Sequence, residues 1–552
     1  MNKPWLKCYD NAVPESLMYP DMPVQAFLQQ AAQKFPDRPC TIFRDIALSY
    51  AVMNKLSNAF AAALQAMGIE KGDRVAVILP NIPQFVLAYY GILKAGGVVV
   101  AMNPMYKADE VQYHLDVSDA KIVLALDEYN EVLDIVQKRN SGLTYIFTSI
   151  QETELSPVTG MDAEENSFRL LSILEQYEGK MPVDVSVSAD DPAIFQFSGG
   201  TTGIPKAAVG LHRNLVANVL QFSNWLVGLE EGKEVLLAAI PLYHVYGMVI
   251  GMGMAVGLGA SMVLIDNARD ITSIMKGIDR YQATLFPGVP NLYRAINHHP
   301  DVLAGKYRLR SIKACISGSA PLLPETKMAF EQLTGGKLLE GYGLSEAPTA
   351  THCNPMLGEN RVGAIGLPIC DVICRIVDLE TGEIEMPPGE SGELVISGPQ
   401  IMQGYHNKPE ATKKALRDGW LYTGDIARMD EDGYFYLVGR KKDLIKVGGF
   451  QVWPREVEEV LVRHPAVKEV CVAGVPDAER VEIVKAWVIL QQDATVSVEE
   501  LRSLCREGIA AYKVPSLVEF RESFPRTTVG KLLRRELVQE HVEGMQLGNE
   551  QN

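Results

Sequence analysis

The sequence has no excess of positive charge and no paired-cysteine motif. Its 552 residues carry a net charge of −16, which argues against a nucleic-acid binder. The eight cysteines are scattered, and no two of them form a C-x-x-C pair. This spacing argues against a structural zinc site and against a disulfide framework. We therefore expect a protein of a reducing compartment, the cytoplasm.

The chain also lacks a clear membrane segment. Residues 1–17 contain no apolar core of the kind that a signal peptide needs. Residues 245–265 are uncharged and long enough to span a bilayer, but they include several glycines, and no other range resembles them. We interpret this range as a buried helix followed by a strand. No transmembrane segment is expected, whereas contact with a membrane surface and assembly as a homodimer stay open.

Repeated short apolar runs predict an α/β fold. An apolar run at 73–80, a helical pattern at 84–94 and the run VVVAM after Gly97 give the order strand, helix, strand, which is typical of a parallel sheet. A second series of such runs begins near Glu234. Each run ends in polar or glycine-rich residues. Because ligands of open parallel sheets collect at the carboxyl ends of the strands, we expect the binding residues in these loops.

The pattern changes twice in the last third of the chain. From Gly363 onward, short alternating runs separated by Gly, Pro and Asp predict an antiparallel, barrel-like region. Beyond Arg440, Pro454 is placed to open a helix, and residues 497–500 form a capping box for another. The predicted organisation is a large N-terminal domain of βαβ-type sheets over 1–440, with its barrel-like part at about 363–440. A small, mobile α+β domain over 441–552 follows.

A loop rich in glycine and hydroxyl groups lies at 197–210, with the sequence FSGGTTGIPKAAVG. Glycines allow backbone N–H groups to turn toward a phosphate, and hydroxyls can donate to its oxygens. The loop does not end in the Gly-Lys-Ser/Thr of common phosphate loops, because Pro205 precedes Lys206 and Ala207 follows it. Taken alone, it is either an anion-binding loop or a flexible turn.

Four further motifs follow in order: SGSAPL at 317–322, EGYGLSEAP at 340–348, a long block at 418–461, and PRTTVGKLLRREL at 525–537. With the loop, this set resembles the adenylate-forming superfamily, which comprises acyl-CoA synthetases, aryl-CoA ligases, luciferases and the adenylation domains of peptide synthetases. The likeness covers residues 20–540 or so. It implies a large adenylation domain and a mobile C-terminal lid.

The resemblance implies a reaction in two steps. A carboxylate attacks the α-phosphate of ATP to give acyl-adenylate and pyrophosphate, and a thiol, usually that of coenzyme A, then displaces AMP. The loop would hold the phosphates that leave as pyrophosphate. The ATP- and AMP-binding residues implied by the motifs are Ser198, Gly199, Gly200, Thr201, Thr202, Gly203, Lys206, Gly318, Ser319, Ala320, Pro321, Glu340, Gly341, Tyr342, Gly343, Ser345, Asp425, Leu437, Arg440, Gln451 and Lys531.

Several of these residues have a specific role by resemblance. Glu346 would ligate Mg²⁺, with the Ser198 hydroxyl also within reach of the metal. Asp425 would accept hydrogen bonds from both ribose hydroxyls, and Arg440 would hold ribose or phosphate. Lys531 would be the catalytic lysine that bridges the carboxylate and the α-phosphate as negative charge redistributes.

The resemblance also implies a change of conformation between the two steps. Lys442 matches the hinge of the family. Rotation of the small domain about it would withdraw Lys531 and bring Lys446, Gly448 and Gly449 to the thiol of coenzyme A. Lys446 is therefore a second predicted catalytic residue.

The motif PLYHVYG at 241–247 resembles the acyl-pocket motif of the family. His244 would lie near the carboxylate or shape the pocket wall, although a packed core histidine is the alternative. The predicted acyl-pocket residues are Tyr243, His244, Gly247, Met248 and Gly251.

The chemistry of this stretch indicates the substrate class. It contains no carboxylate before Asp266, so an amino-acid substrate would bury an uncompensated ammonium group. Its glycines and methionines suit an apolar tail. We expect a medium- to long-chain fatty acid, with an aryl acid of the cinnamate type, or a carrier protein as the acceptor of the acyl group, as alternatives.

A different enzyme class also has a partial signature. GLSEA at 343–347 is close to the Gly-x-Ser-x-Gly elbow of α/β-hydrolases, with His352 or His406 as a partner for Ser345. A serine esterase would have no use for an ATP loop, so dependence on ATP separates the two hypotheses.

Overall fold

The computed structural model describes residues 3–140, 142–152, 167–198, 205–447, 450–477, 481–527 and 532–550, with the backbone alone at 451, 481 and 545–550. The chain divides into two compact units. The first comprises residues 1–373 and 396–421, and the second comprises 374–395 and 422–552. About half of the predicted barrel-like part, 374–395 and 422–440, is thus grouped with the C-terminal residues, and the predicted domain boundary at 440 stays a prediction.

The first unit contains two large sheets. One sheet has the strand order Leu367–Pro368, Ala350–Cys353, Lys337–Gly343, Ala314–Ser317, Leu285–Gly288, Val235–Ala238, Ser261–Leu264, Pro39–Phe43, Ile46–Ser49. The other has the order Gly404–Tyr405, Lys206–Leu211, Pro192–Ser198, Val98–Ala101, Arg74–Ile78, Ala120–Leu126, Thr144–Thr148, Ser167–Arg169. The central pairs of both sheets are parallel, which confirms the predicted α/β class.

Helices connect and cover these strands. Those of the first unit are Ala26–Lys34, Tyr50–Ala66, Pro83–Lys94, Ala108–Ser118, Asn130–Arg139, Leu170–Gln176, His212–Trp225, Met254–Gly257, Ile271–Tyr281, Pro290–Asn297, Pro300–Leu303, Pro324–Thr334 and Pro409–Ala415. Short 3₁₀ turns lie at Pro4–Cys8 and Asp127–Tyr129. Each sheet has its own apolar cluster, the first including Leu237, Phe286 and Tyr293 and the second including Val100 and Val123.

The helix Pro83–Lys94 lies in the interior of the first unit. Each of its residues is buried, so the helix is covered on all sides. Asn81, just before it, donates from Nδ2 to the carbonyl oxygens of Ala238 and Ile240, and its Oδ1 accepts from the backbone N–H of Leu242, all at 2.8 to 2.9 Å. One buried amide therefore fixes the end of the strand Val235–Ala238 and the start of the segment that carries His244.

The range 245–265 is internal, as the sequence predicts. It forms a buried π-helix at Tyr246–Gly253, the short α-helix Met254–Gly257 and the strand Ser261–Leu264. The apolar pattern indicated a helix but not its wider π type, which is frequent at functional sites. Among the described helices, none combines the length and hydropathy that crossing a bilayer requires.

The second unit contains two sheets whose strands are mostly antiparallel. Ile373–Val377, at the edge of the unit, pairs with Ser391–Ser397, which pairs with Trp420–Met429, and the last of these also pairs with Phe435–Arg440. Trp420–Met429 begins in the first unit, where it pairs with Leu416–Arg417. The second sheet has the order Phe450–Val452, Ile445–Val447, Val481–Leu490, Val467–Asp477, with Leu517–Phe520 parallel to Val481–Leu490.

The helices of the second unit are Pro454–Leu461, Val498–Gly508 and Arg534–Glu550, with 3₁₀ turns at Lys441–Asp443 and Ala511–Lys513. Pro454 stands at the start of its helix, as predicted. Ser497 caps the next helix, because its hydroxyl accepts from the backbone N–H of Glu500.

Seven of the eight cysteines are buried, and Cys8 is half-buried. Burial raises the pKa of the Cys370 thiol to about 12 and that of Cys505 to about 11. It raises the pKa of Cys40, Cys353 and Cys471 further still. These thiols are packed as small apolar groups.

Candidate functional site

The loop at 199–204 is closed by a β-hairpin. Strands Pro192–Ser198 and Lys206–Leu211 are antiparallel, and Ser198 is paired with Lys206 across them. The predicted residues Gly199, Gly200, Thr201, Thr202 and Gly203 lie outside the described residues. The two ends of the loop are therefore fixed side by side.

Glu346 lies in a turn after the strand Lys337–Gly343, near these loop ends. The hydroxyl of Tyr405 donates to Glu346 Oε1 at 2.8 Å. The Nζ of Lys206 lies 5.2 Å from the centroid of the Tyr405 ring, and Ser198 Oγ is buried beside the Tyr405 hydroxyl. Ser198, Lys206, Glu346 and Tyr405 together form what we call the phosphate cluster.

The donor set of the phosphate cluster fits Mg²⁺. Its carboxylate and hydroxyl oxygens are hard ligands, which this ion prefers. Glu346 Oε2 accepts no hydrogen bond from the described residues, so it is available to a cation. Among all the residues that the structure describes, no group of three or more His, Cys, Asp or Glu side chains could hold a metal ion. That composition suits an ion held by one carboxylate together with water and phosphate oxygens.

The motifs SGSAPL and EGYGLSEAP, which we predict to bind the nucleotide, follow the carboxyl ends of neighbouring parallel strands. Ser317 and Glu340 are paired where Ala314–Ser317 meets Lys337–Gly343. Beyond them, Ser319 has a φ of 70°, and its backbone, with that of Gly318, Ala320 and Pro321, forms a partly exposed turn. A residue other than glycine with a positive φ has a strained backbone. Such strain is common where a loop must present its backbone to a ligand.

Tyr342 and its neighbouring glycines are tightly packed from behind. Tyr342 meets the ring of His352 edge-on, with 5.8 Å between the centroids. A Cβ at Gly343 would lie 1.7 Å from the carbonyl oxygen of Thr349, and one at Gly341 would lie 3.2 Å from that of His352. Glycine is therefore required at Gly343 by close approach of the backbone. Ser345 follows in the turn that carries Glu346.

The π-helix Tyr246–Gly253 begins beside the same strand ends. Tyr246 donates its hydroxyl hydrogen toward the carbonyl oxygens of Ile316 at 2.8 Å and Gly288 at 3.2 Å. His244 is half-buried, and its Nδ1 accepts from the backbone N–H of Tyr246 at 3.2 Å. Tyr243 lies near Tyr106, since burial, Glu110 and Tyr243 together raise the pKa of Tyr106 to about 12.

The two predicted pocket glycines have opposite surroundings. A Cβ at Gly247 would lie 2.2 Å from the carbonyl oxygen of Pro241, so this glycine is required by packing. A Cβ at Gly251 would meet no atom within 4 Å, although Gly251 is buried. Of the two predicted acyl-pocket glycines, Gly251 alone therefore has free space beside it. Met248, between them, is also buried.

Within the second unit, Asp425 and Arg440 form an ion pair. Arg440 Nε lies 2.8 Å from Asp425 Oδ1, and the two residues are paired across their strands. The Asp425 side chain is 6% exposed, so its charge is held almost entirely within the protein. Leu437, on the same strand as Arg440, is paired with Ala427.

A second ion pair and several hydrogen bonds hold the residues around Asp425 and Arg440. Glu393 binds the Lys441 ammonium at 2.8 Å and accepts from the backbone N–H of Gly424 at 3.1 Å. The Thr423 hydroxyl accepts from the backbone N–H of Asp425. The loop that presents Asp425 is thus fixed on both sides.

The structure describes only some of the residues that we predict for the hinge, for thiol transfer and for the catalytic lysine. Lys446 is exposed on the strand Ile445–Val447, and its backbone N–H donates to Glu482 at 2.7 Å. Lys442 lies in the 3₁₀ turn Lys441–Asp443. Gly448, Gly449, Lys531 and the side chain of Gln451 lie outside the described residues. Arg534, three residues after Lys531, binds both carboxylate oxygens of Glu458 at 2.7 and 2.9 Å.

Comparison with protein families identifies the chain. A family model described as AMP-binding enzyme matches residues 28–406, and one described as AMP-binding enzyme C-terminal domain matches residues 456–531. The chain belongs to the AMP-binding enzyme family. The predicted membership of the adenylate-forming superfamily is confirmed. So are the enzyme class, an AMP-forming acid–thiol ligase, and its use of ATP, Mg²⁺ and coenzyme A.

Known relatives of this family member extend over its full length. A long-chain-fatty-acid–CoA ligase of Bacillus subtilis (strain 168) is 42% identical, with 98% of each chain covered. One of Salmonella typhimurium is 36% identical, with coverage of 97% of this chain and 98% of that one. ATP-bound MatB from Rhodopseudomonas palustris has a TM-score of 0.83 at 29% identity, with coverage of 94% and 99%. An anthranilate CoA ligase in complex with anthranoyl-AMP has a TM-score of 0.84 at 25% identity, with coverage of 96% and 99%.

Sequence analysis missed several supporting residues of this family member. Tyr405, Asn81 and Tyr246 all contact elements distant in sequence, and none lies in a motif that names its partner. The sequence pattern around these three residues indicated little about their role. Tyr246 and Asn81 flank predicted strand ends, whereas Tyr405 lies 59 residues from Glu346 in a stretch without any predicted role.

Proposed function

We propose that this protein is a fatty-acyl–CoA ligase that activates a medium- to long-chain fatty acid. The fatty acid carboxylate attacks the α-phosphate of ATP, and pyrophosphate leaves. The sulfur of coenzyme A then attacks the acyl carbon, AMP leaves, and the thiol proton is released. The observation that carries the choice of acid is the space beside Gly251, on a buried helix without a charged side chain.

The assignment of the nucleotide residues rests on their chemistry. Lys206 and Ser198 supply a cation and a hydroxyl where the phosphates would lie, and Glu346 is available to Mg²⁺. When bound, Mg²⁺ neutralises charge on the phosphate oxygens. Asp425 is a buried acceptor suited to ribose hydroxyls, and its charge is already balanced by Arg440. The turn at Gly318 and Ser319, with Tyr342, would face the adenine.

The acyl end of the proposed site is built from the segment after Pro241. His244 is oriented by its hydrogen bond to the Tyr246 backbone, which suits a residue that must stay beside the substrate carboxylate. The wall beyond it is apolar and contains Met248, an adaptable side chain. A fatty acid tail would gain free energy in proportion to the apolar area it buries there.

One other acid and one other acceptor of the acyl group remain as alternatives within the family. An aryl acid is the alternative substrate, because anthranilate and benzoate CoA ligases are among the similar structures, and the sequence leaves a carrier protein open as the acceptor. The esterase alternative has lost its support. His352 is wholly buried, burial lowers its pKa to about 3, and it contacts Thr351 and Tyr342. His406 packs on Phe195 instead.

The setting of the enzyme is a further part of the proposal. We infer a cytoplasmic protein, because its eight cysteines are unpaired thiols. Contact with a membrane surface would give access to long-chain acids, and a homodimer is compatible with the sequence. Flotation with lipid vesicles tests the first of these, and sedimentation analysis tests the second.

The experiment that tests the function is a pyrophosphate-release screen with and without coenzyme A. The panel contains saturated fatty acids of increasing length, benzoate, cinnamate and amino acids. We expect turnover to require ATP and Mg²⁺, to rise with chain length until the pocket is full, and to continue to acyl-CoA when coenzyme A is present. Equal use of butyrate and dodecanoate, with better use of aryl acids, would contradict the fatty-acid assignment.

A further inference from the structure

The segment 402–406 is fixed between the two elements that form the phosphate cluster. On one side, Gly404 and Tyr405 pair with Val209 and Ala208 on the strand that begins at Lys206. On the other side, the backbone N–H of Met402 donates to the carbonyl oxygen of Glu346 at 2.9 Å. The position of Tyr405 is therefore set by backbone contacts to both neighbours, before its side chain makes any contact.

The Tyr405 side chain repeats this connection at the functional groups. Its ring packs against the apolar cluster that contains Ala208 and Ala347, with Lys206 Nζ 5.2 Å from its centroid. Its hydroxyl donates to Glu346 Oε1 at 2.8 Å. A tyrosine hydroxyl carries its proton at neutral pH, so it is the donor in this contact.

This contact has a consequence for the carboxylate. A carboxylate in a turn can rotate, and each orientation presents its oxygens in a different direction. The hydrogen bond from Tyr405 occupies Oε1 and selects one orientation, which leaves Oε2 for a hard cation. A ligand that is already oriented loses less conformational entropy when the metal binds.

We propose that Tyr405 is a positioning residue for Mg·ATP, which it favours by orienting the Glu346 carboxylate relative to Lys206. This inference rests on the proposed function, in which Glu346 is the metal ligand. In this role Tyr405 acts through Glu346 and not directly on the metal or the acid. Loss of its hydroxyl should weaken the binding of Mg·ATP but leave the binding of metal-free ATP and of the fatty acid unchanged.

The test is calorimetric titration of the full-length protein with ATP, in the presence of Mg²⁺ or EDTA and without acid. Tyr405→Phe keeps the ring and its packing but removes the donor. We expect its dissociation constant for Mg·ATP to rise by about three- to tenfold, the range for loss of a hydrogen bond to a charged group that acts indirectly. With EDTA, the variant and the wild type should agree. Tyr9→Phe, which removes a hydroxyl donor to the carbonyl oxygen of Pro368, is the matched control and should bind as the wild type does.

A double-mutant cycle separates positioning from a general structural role. If Tyr405 acts through Glu346, Tyr405→Phe should add no further loss in the Glu346→Ala background. An equal loss in both backgrounds, or an equal loss with EDTA, overturns the proposal. Thermal unfolding checks that the variants fold. If Tyr405→Phe does not, Tyr405→His provides a ring with an N–H donor, and we expect it to retain most of the Mg²⁺ dependence, whereas its loss would overturn the proposal.

The same data distinguish this inference from the function on which it rests. If Mg²⁺ does not strengthen ATP binding to the wild type, or if Glu346→Ala binds Mg·ATP normally, the assignment of Glu346 is wrong and the inference fails with it. If both behave as expected and Tyr405→Phe is normal, the positioning role alone is wrong.

Discussion

Tyr113 donates its hydroxyl hydrogen to the carbonyl oxygen of Pro205 at 2.7 Å. Pro205 is the residue before Lys206, so the hydrogen bond holds the end of the phosphate loop. The neighbouring His114 packs on Phe197, with 4.1 Å between the ring centroids, just before the loop begins. The helix Ala108–Ser118 thus contacts the residues on both sides of a loop that we assign to ATP.

Removal of the Tyr113 hydroxyl should weaken ATP more than fatty acid. A neutral hydrogen bond contributes about 0.5–1.5 kcal/mol, so we expect Tyr113→Phe to raise the KM for ATP by about two- to tenfold. Steady-state pyrophosphate release at saturating acid measures this. Tyr281→Phe, which removes a surface hydroxyl that donates to Asp45, is the control. An equal rise in the KM for the acid would argue against a role in holding the loop.

Substitution at Gly251 should change chain-length preference, whereas substitution at Gly247 should change stability. Gly251→Leu fills the space beside the π-helix. Each methylene that no longer fits costs about 0.8 kcal/mol, roughly fourfold in kcat/KM. The ratio of kcat/KM for hexadecanoate to that for octanoate should therefore fall. Gly247→Ala, whose Cβ would strike the Pro241 carbonyl, should lower the unfolding temperature without changing that ratio. If Gly251→Leu leaves the ratio unchanged, the tunnel lies elsewhere.

The two lysines Lys531 and Lys446 should act in different half-reactions. Lys531→Ala should block formation of acyl-adenylate from acid and ATP, because loss of a preorganised donor costs about 10²–10³ in rate. It should still convert supplied acyl-adenylate and coenzyme A to acyl-CoA. Lys446→Ala should form the adenylate and then transfer slowly. Quenched reactions of each step, separated by chromatography, measure both. Equal impairment of both steps by both variants would exclude a division of labour.

The stability of the folded protein should decrease as the pH is lowered, because His212 becomes protonated. This buried ring accepts the backbone N–H of Val24 on Nδ1 at 3.1 Å, and burial lowers its pKa to about 4. The unfolded chain binds a proton near pH 6.5. The contribution of the neutral ring is therefore complete above pH 6.5 and is lost as pH falls toward 4, by a total of about 3 kcal/mol.

His212→Asn should reduce that pH dependence. The amide oxygen can replace Nδ1 as the acceptor for Val24, but it does not titrate. We expect a smaller drop in unfolding temperature between pH 7 and pH 5 than in the wild type, even if the variant is less stable at pH 7. His298→Asn changes an exposed histidine and should leave the drop as it is. An unchanged drop in His212→Asn would assign the pH dependence to other groups.

Sequence reasoning located the functional motifs better than the contacts that support them. Apolar runs placed the strands before Gly318 and Glu346, and the glycine-rich loop was found because its composition is local. Asn81 and Tyr113 were missed because their partners lie 161 and 92 residues away in the sequence. Only the folded topology brings these residues together. The π-helix was missed for another reason, since an apolar stretch without alternation gives no signal for helix type. Gly247 and Gly251 looked equivalent, and only the surrounding atoms distinguish them.

The burial of the cysteines has a chemical consequence for an enzyme of this class. Acyl-adenylate is an electrophile that any nearby thiolate can attack. A protein thiol that did so would form an unproductive thioester and release AMP. Because burial raises the pKa of Cys40, Cys353, Cys370 and Cys471, these sulfurs remain protonated and out of reach of solvent. These four thiols are therefore poor nucleophiles toward the activated acid, and we expect little self-acylation at them during turnover.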